Sequence, residues 1–360
     1  MEDLFSRAVA ANEAARKTSV PWQPDVPFPQ AHYSFDSMSE TWHPHESSQQ
    51  QQGNAATPSS TGSREVTRIA LYAWNIDFML PFPEERMAAA LGYLESLITA
   101  SPSQNTGVII FLQECLVSDL RTIGQSSWVR DNFTITDVDG AMWASGNYGT
   151  TTLVSKNLLL QGSFRVHYDK TRMERDVLFV DVDVGPGGSG NEGGRDIIRV
   201  GNTHLESMAF EPAYRPPQVE LAARFMKSLS DNEHQQAEGK IIHGALLAGD
   251  FNAIQDFDRS LHLDNGLRDA YLELGGQEDS EEGYTWGQQA ATVLRDRFGC
   301  SRMDKVYFCG GGLRLRRFQT FGEGVELQDR EQRRQLIELG FDKPWITDHL
   351  GVMAEFDVCE

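Results

Sequence analysis

The stretch "KIIHGALLAGDFN" runs from Lys240 to Asn252. A mostly apolar run of strand length ends in a glycine, and then Asp250 and Asn252 stand with one residue between them. An apolar run of this kind fits a strand buried on both faces. The polar pair after the glycine has two readings. Asp and Asn accept tight backbone conformations and bond locally, which makes a turn. They are also groups that an enzyme aims at a reacting atom.

Outward from this stretch the same pattern repeats. "RIALYAWNI", "GVIIFLQE", "TTLVSK", "DVLFVDVDV", "DIIRVGNTHLE", "RMDKVYF" and "LGVMAEFDV" are further β-rich runs between Arg68 and Val358. Helical periodicity appears in "PEERMAAALGYLESLITA", where Met87, Leu91, Leu94 and Ile98 share a face. It recurs in "PPQVELAARFMKSL", with Val219, Ala222, Met226 and Leu229. "VGPGGSGNEGGRD" joins two strands and reads as a long hairpin loop; it lacks the spacing of a P-loop. There is no internal repeat. The pattern predicts an α/β domain with two sheets packed face to face and helices outside.

Several of these strands end in polar residues. "WNID" carries Asn75 and Asp77, "LQE" Glu114, and "NTHLES" Asn202, His204, Glu206 and Ser207. "GDFNA" carries Asp250 and Asn252, "SRMDKVYF" Asp304, and "TDHLG" Asp348 and His349. Singly, each is as easily a turn or a satisfied core group.

The chain has 360 residues and a formal net charge of −20, from 32 basic and 52 acidic side chains. Such a surface is a poor footprint for coating long stretches of nucleic acid. It leaves room for a phosphate substrate held by a cation, because a bound ion inverts the field of an acidic cleft. No apolar run reaches the roughly 18 residues that span a bilayer. The N-terminal residues lack a basic segment followed by an apolar one, which disfavours a secretory signal. Cys115, Cys300, Cys309 and Cys359 are scattered. That spacing argues against a structural zinc site and suggests a reducing, intracellular compartment.

Residues 1–64 differ from the rest and are expected to form a mostly disordered arm and linker, with the catalytic domain over 65–360. "HESSQQQQGNAATPSSTGSRE" is too polar to bury surface that offsets its ordering entropy. Ahead of it stand Trp22, Phe28, Tyr33, Phe35 and Trp42. Aromatics at that density suit an arm that packs on the domain or on a protein partner, or an extended segment with no fixed partner.

In this order the signatures resemble those of the endonuclease/exonuclease/phosphatase superfamily, from about Thr67 onward. Within it the 5′-tyrosyl-DNA phosphodiesterases are most similar. "WNID", "THLES", "GDFNA", and "YTW" followed by "RMDKVYF" resemble their motifs. "TRMERDVLFVDV" resembles the strand that carries an active-site arginine, here Arg175, and "GNYGTTTLV" places Tyr148 at the position of an active-site tyrosine. The resemblance implies a deoxyribonuclease I-like four-layer α/β/β/α sandwich of two mixed sheets with flanking helices. It implies a phosphodiesterase dependent on Mg²⁺, with Mn²⁺ as a substitute. Its substrates would be DNA 5′ ends bearing tyrosyl or peptide adducts, in DNA repair and in the nucleus. Glu114, Asp348 and Asp77 would serve the metal. Asp250, His349, Asn75, Asn252 and His204 would be catalytic, and Asp304 would orient His349. Ser207, Tyr148, Arg175 and Trp286 would contact substrate. Where those enzymes carry an arginine after this motif, the chain has Ala253 and Ile254; Arg314, Arg316 and Arg317 of "LRLRRF" are candidate replacement charges. Hydrolysis of another phosphate ester, and a binding protein that has lost its chemistry, are the alternatives.

Overall fold

The computed structural model describes residues 10–11, 13–45, 66–100, 105–186, 195–227 and 240–359. The polar-tipped strands lie in two mixed sheets. One runs, in order across the sheet, β1 (Pro27–Gln30), β8 (Leu159–His167), β9 (Asp176–Pro186), β10 (Arg195–His204), β11 (Lys240–Asp250), β13 (Asp304–Gly310) and β12 (Arg268–Asp269). The other runs β14 (Leu313–Phe321), β15 (Gly351–Val358), β4 (Arg68–Asn75), β5 (Thr106–Leu116), β7 (Tyr148–Ser155), β6 (Phe133–Ile135), β2 (His32–Asp36) and β3 (Thr41–His45). Strands β10 and β11 pair in parallel, as do β4 and β5. A parallel neighbour requires a crossover. Helices α1 (Pro83–Thr99) and α3 (Arg215–Met226) supply these, and α2 (Val117–Gln125) packs beside α1.

Period two explains the packing. Ile69, Leu71 and Ala73 of β4 face Ile198 and Val200 of β10 and Leu246 and Ala248 of β11 in a core between the sheets. The alternate positions, such as Tyr72 and Trp74, turn outward under Met87, Leu91 and Leu94 of α1. On the far side Ala245 and Leu247 pack under Val219, Ala222 and Met226 of α3. Both sheets are thus covered on both faces, which is why their strands read as continuous apolar runs. The layers are the expected α/β/β/α sandwich. Leu229 of the predicted helical face lies outside the described residues. So does most of the glycine-rich connection, whose flanking strands β9 and β10 pair antiparallel as a hairpin.

The expectation of an arm without fixed structure does not hold for Pro27–His45. Strand β1 pairs with β8, and β2 pairs with β6 and with β3, so the leader extends an edge of each sheet. The aromatics are the reason. Trp22 stacks on His167 with ring centroids 4.0 Å apart. Trp42 packs against the outer core and donates to the Gly124 carbonyl at 3.1 Å. The Gln/Ser-rich linker, residues 46–65, lies outside the described residues. All four cysteines are free. Among the described residues no helix is long and apolar enough to cross a membrane.

Candidate active site

The ends of the central strands meet at one rim. Asn75 closes β4, Glu114 lies near the end of β5, His204 closes β10 and Asp250 closes β11. Asp304 opens β13 directly opposite Asp250. Backbone conformation turns these groups inward. A Cβ on Gly249 (φ +139°) would lie 1.9 Å from the Thr203 carbonyl oxygen, so only glycine lets β11 approach β10 just before Asp250. Asp77, Glu114 and Asn252 hold left-handed φ of 58°, 58° and 46°. Such conformations are uncommon outside glycine and gather at functional sites. The register of β5 slips between Leu112 and Cys115, a bulge that re-aims Glu114.

Asp250 is the hub. Asn75 donates to it at 3.0 Å, and the Asn252 backbone N–H at 2.8 Å. His204 Nε2 lies 3.3 Å and His349 Nε2 3.8 Å from the same carboxylate oxygen. Burial pushes the Asp250 carboxyl up, but His349, His204 and the Asn252 N–H outweigh it and hold the group well below the usual carboxylate range. Asn252 also donates to the Leu205 carbonyl at 3.1 Å. Asp304 bonds to His349 Nδ1 at 2.8 Å. The carboxylates of Asp304, Asp250 and Asp348 overcome burial and raise His349 well above an ordinary histidine, so it is held as a cation.

His204 is a different histidine. Burial and the Arg175 guanidinium lower it. Arg175 lies 2.6 Å from His204 Nδ1, and a guanidinium only donates, so Nδ1 is the acceptor and Nε2 carries the proton. The ring is therefore a neutral donor aimed at Asp250 and, 3.7 Å away, Glu114. Arg175 also donates to Ser207 at 3.1 Å and lies 5.4 Å over the Tyr148 ring. Tyr148 stacks in turn on Phe78 at 4.3 Å, and its hydroxyl donates to the Met173 carbonyl. Arg175, Ser207 and Tyr148 thus form one side wall.

On the other side acids crowd together. Burial, then Asp348, then Glu114 push the Asp77 carboxyl well up. Burial likewise raises Asp348. Glu114 accepts from the Phe78 N–H at 2.9 Å, and Asp77 from the Met79 N–H at 2.9 Å. Trp286, nearly buried beside Ala290 and Met303, points its indole N–H at Asp348 at 2.7 Å. The cation beneath is Arg86, but its five donor contacts go to the carbonyls of Ile76, Asp77, Leu80, Pro81 and Ile346. Ligand atoms of Glu114, His204 and Asp250 lie within 4.8 Å of one another, as do those of Asp250, Asp304 and His349. A divalent cation with a taste for oxygen supplies the charge that the acids lack, so these residues fit one.

The sequence did not flag Arg86, Gln113 or Thr347. Arg86 interrupts the apolar face of a helix, the one visible hint. Gln113 donates to Asn202 at 2.8 Å across the sheets, and Thr347 to the Asn75 carbonyl at 2.8 Å. The candidate replacement arginines are elsewhere. Arg314 and Arg316 pair with Asp357 at 2.6 and 2.8 Å, at the end of β15 remote from His349.

Comparison with known proteins agrees with this fold. No curated protein matches the chain. Among solved structures, truncated TDP2 from Caenorhabditis elegans is 22% identical and matches with a TM-score of 0.53 over 82% of this chain and 100% of that one. TDP2 of D. rerio complexed with single strand DNA product is 18% identical, with a TM-score of 0.54 over 81% of this chain and 99% of that one. The human Nocturnin catalytic domain with bound sulfate anion is 17% identical, with a TM-score of 0.51 over 81% and 95%. These share the fold. The Endonuclease/Exonuclease/phosphatase family model matches residues 72–349. The chain belongs to the endonuclease/exonuclease/phosphatase family and is a hydrolase of phosphoric ester bonds.

Proposed function

We propose that the chain is a Mg²⁺-dependent phosphodiesterase that hydrolyses the 5′-phosphotyrosyl bond between DNA and a trapped topoisomerase peptide. The observation that carries this reading is the crowding of Asp77, Asp348 and Glu114 at one rim, where each raises the cost of charging the next, beside Asp250 with His204 and His349 on one of its oxygens. The motif likeness to the 5′-tyrosyl-DNA phosphodiesterases supports the substrate. So does the single strand DNA product held by the D. rerio TDP2 that shares the fold. A nuclear site of action follows from that substrate.

Glu114, Asp348 and Asp77 would hold the metal, with Mn²⁺ as a substitute for Mg²⁺. When bound, the ion screens the charge that grows on phosphate oxygens during in-line attack. The chain's own groups do the rest. Asp250, ionised and fixed by Asn75 and Asn252, accepts a hydrogen bond from the attacking water and aims it. His349, a cation oriented by Asp304, and His204, a neutral donor oriented by Arg175, give hydrogen bonds to oxygens that gain charge. Ser207 completes the phosphate cradle. Tyr148 and Arg175 wall the side on which the terminal nucleotide lies, and the pKa of about 10 of a phenolic leaving group lessens the need for a strong acid. Trp286 holds Asp348.

One observation favours a second phosphate ester as substrate. Ile254, where an arginine would face DNA, is apolar and 45% exposed. A panel decides: a 5′-phosphotyrosyl oligonucleotide, an abasic duplex, an inositol polyphosphate and poly(A), each with Mg²⁺ and with EDTA. Turnover confined to the first and abolished by EDTA is expected. Preference for another member would overturn the substrate. Silence on all four would favour a binding protein.

A further inference from the structure

Beside the side wall lies an exposed arginine that the site does not use. The Arg172 guanidinium stands 4.6 Å over the Phe210 ring and 5.7 Å over the Tyr214 ring, and its Nε donates to the Tyr214 hydroxyl at 3.1 Å. The two rings meet edge to face at 5.8 Å. This ledge is anchored from below. The Arg172 backbone N–H donates to both oxygens of Glu206, at 3.1 Å each, and Thr171 donates to Glu206 at 2.7 Å. Buried Arg215, which follows Tyr214, binds the carbonyls of Glu206 and Met208 and the carboxylate of Asp258. The ledge also abuts the site. Its chain neighbours Met173 and Ser207 both contact Arg175, which holds His204.

The other cations of this corner are engaged. Lys170 pairs with Asp169, Arg16 with Glu174, and Arg215 with Asp258. Among the described residues no carboxylate forms an ion pair with the Arg172 guanidinium. The chain carries 52 acidic side chains against 32 basic ones, so an unneutralised, pre-oriented cation at the rim of a phosphoester site stands out. A guanidinium held on aromatic faces keeps its outer N–H donors free for an anion and offers ring surface beside them. That pairing of phosphate contact and stacking surface is how single strands are bound without regard to sequence.

We propose that Arg172, carried on Phe210 and Tyr214, binds the next phosphodiester of a single-stranded polynucleotide whose terminal ester occupies the site. This rests on the proposed phosphodiesterase function and names the strand contact. The test uses the full chain and two substrates with the same scissile group: the p-nitrophenyl ester of thymidine 5′-monophosphate, and that ester at the 5′ end of a six-nucleotide single strand. The Arg172→Ala variant should lower the ratio of kcat/KM for strand over monomer by roughly three- to tenfold, through KM. It should also cut the log–log salt slope of strand binding by about one. Arg172→Lys should recover part of the loss. Lys170→Ala, a neighbouring cation already paired, should leave the ratio unchanged. An equal loss on both substrates, no loss, or an equal effect of Lys170→Ala would overturn the contact. If the wild type cleaves neither ester the function fails separately, and anisotropy of a fluorescent six-mer then decides: equal, salt-dependent affinity in wild type and Arg172→Ala, or no binding, sinks the ledge, and weaker binding by the variant supports it.

Discussion

Gln30 and Asp250 are both almost fully buried polar side chains, and their surroundings are opposites. Around Gln30 the donors and acceptors close on one another. Arg165 gives its N–H groups to Gln30, Thr150, Asp176 and Asp137, at 2.7–3.1 Å for the closest contact to each. Gln30 in turn donates to the Thr136 carbonyl at 2.7 Å and to Asp137 at 2.9 Å. One cation meets two carboxylates, and neutral groups fill the remaining positions. Around Asp250 the network stays open. Asp77, Glu114, Asp250, Asp304 and Asp348 converge, while Arg86 is engaged by carbonyls and Arg175 by His204 and Ser207. A closed network holds sheets together, and an open one waits for a cation and an anion from outside.

The widest test of that contrast is Asp250→Asn. The isostere keeps the shape and removes the charge that, in the proposed mechanism, aims the water. Turnover should fall by roughly a thousandfold. The far-ultraviolet circular dichroism should stay that of the wild type, because the carboxylate is not what joins the sheets. Near-normal turnover would move Asp250 into the structural class with Gln30.

Deleting the first 45 residues tests the other region. Strand β1, the β2–β3 hairpin, Trp22 and Trp42 would all go. Burial of a few large apolar side chains is worth on the order of 3–5 kcal/mol after ordering costs. Urea denaturation should therefore show a domain destabilised by about that much, while turnover per folded molecule is kept. A deletion that left the urea midpoint unchanged would show the leader to be a passenger.

Gln30→Ala isolates the polar half of that loss. It strands the Arg165 Nε and opens Asp137, both buried. Leaving a buried donor unpaired costs about 1–3 kcal/mol. The loss should appear in the urea midpoint alone, with kcat and KM unchanged.

The two regions also differed in how far the sequence revealed them. At the rim, chemistry and period coincided. Asn75, Glu114, His204 and Asp250 are polar residues at the ends of apolar runs, and the parallel pairing of β4 with β5 and of β10 with β11 brings those ends to one edge. Their company with Asp304, Asp348 and His349 came from motif order. The leader offered no such period. Pro27–Gln30 contains two prolines, and Thr41–His45 reads as polar. Both pair at sheet edges, where a missing N–H is tolerated. Only the aromatics hinted at packing, and the partners Arg165, His167 and Gly124 lie too far along the chain for local pattern to name them. Arg86 was hidden for a related reason: its backbone acceptors are set by the turn before the helix and by Ile346, which no spacing rule connects.

Trp286 stands between the two classes, and the smallest expected effect belongs to it. An aromatic at a rim is easily read as a stacking surface for substrate. Its placement says otherwise: it is 9% exposed and gives its one donor to Asp348. Partners that fix a ligand carboxylate typically change metal affinity by 10- to 100-fold when lost. Trp286→Phe keeps the ring and removes the donor. The Mg²⁺ concentration at half-maximal activity should rise by about tenfold, the low end of that range, because in the proposed site Asp348 is one ligand among several. KM for a phosphodiester at saturating Mg²⁺ should stay within about twofold, since the ring that a base could stack on is still present. The opposite split, a raised KM with unchanged Mg²⁺ demand, would return Trp286 to the substrate wall beside Tyr148.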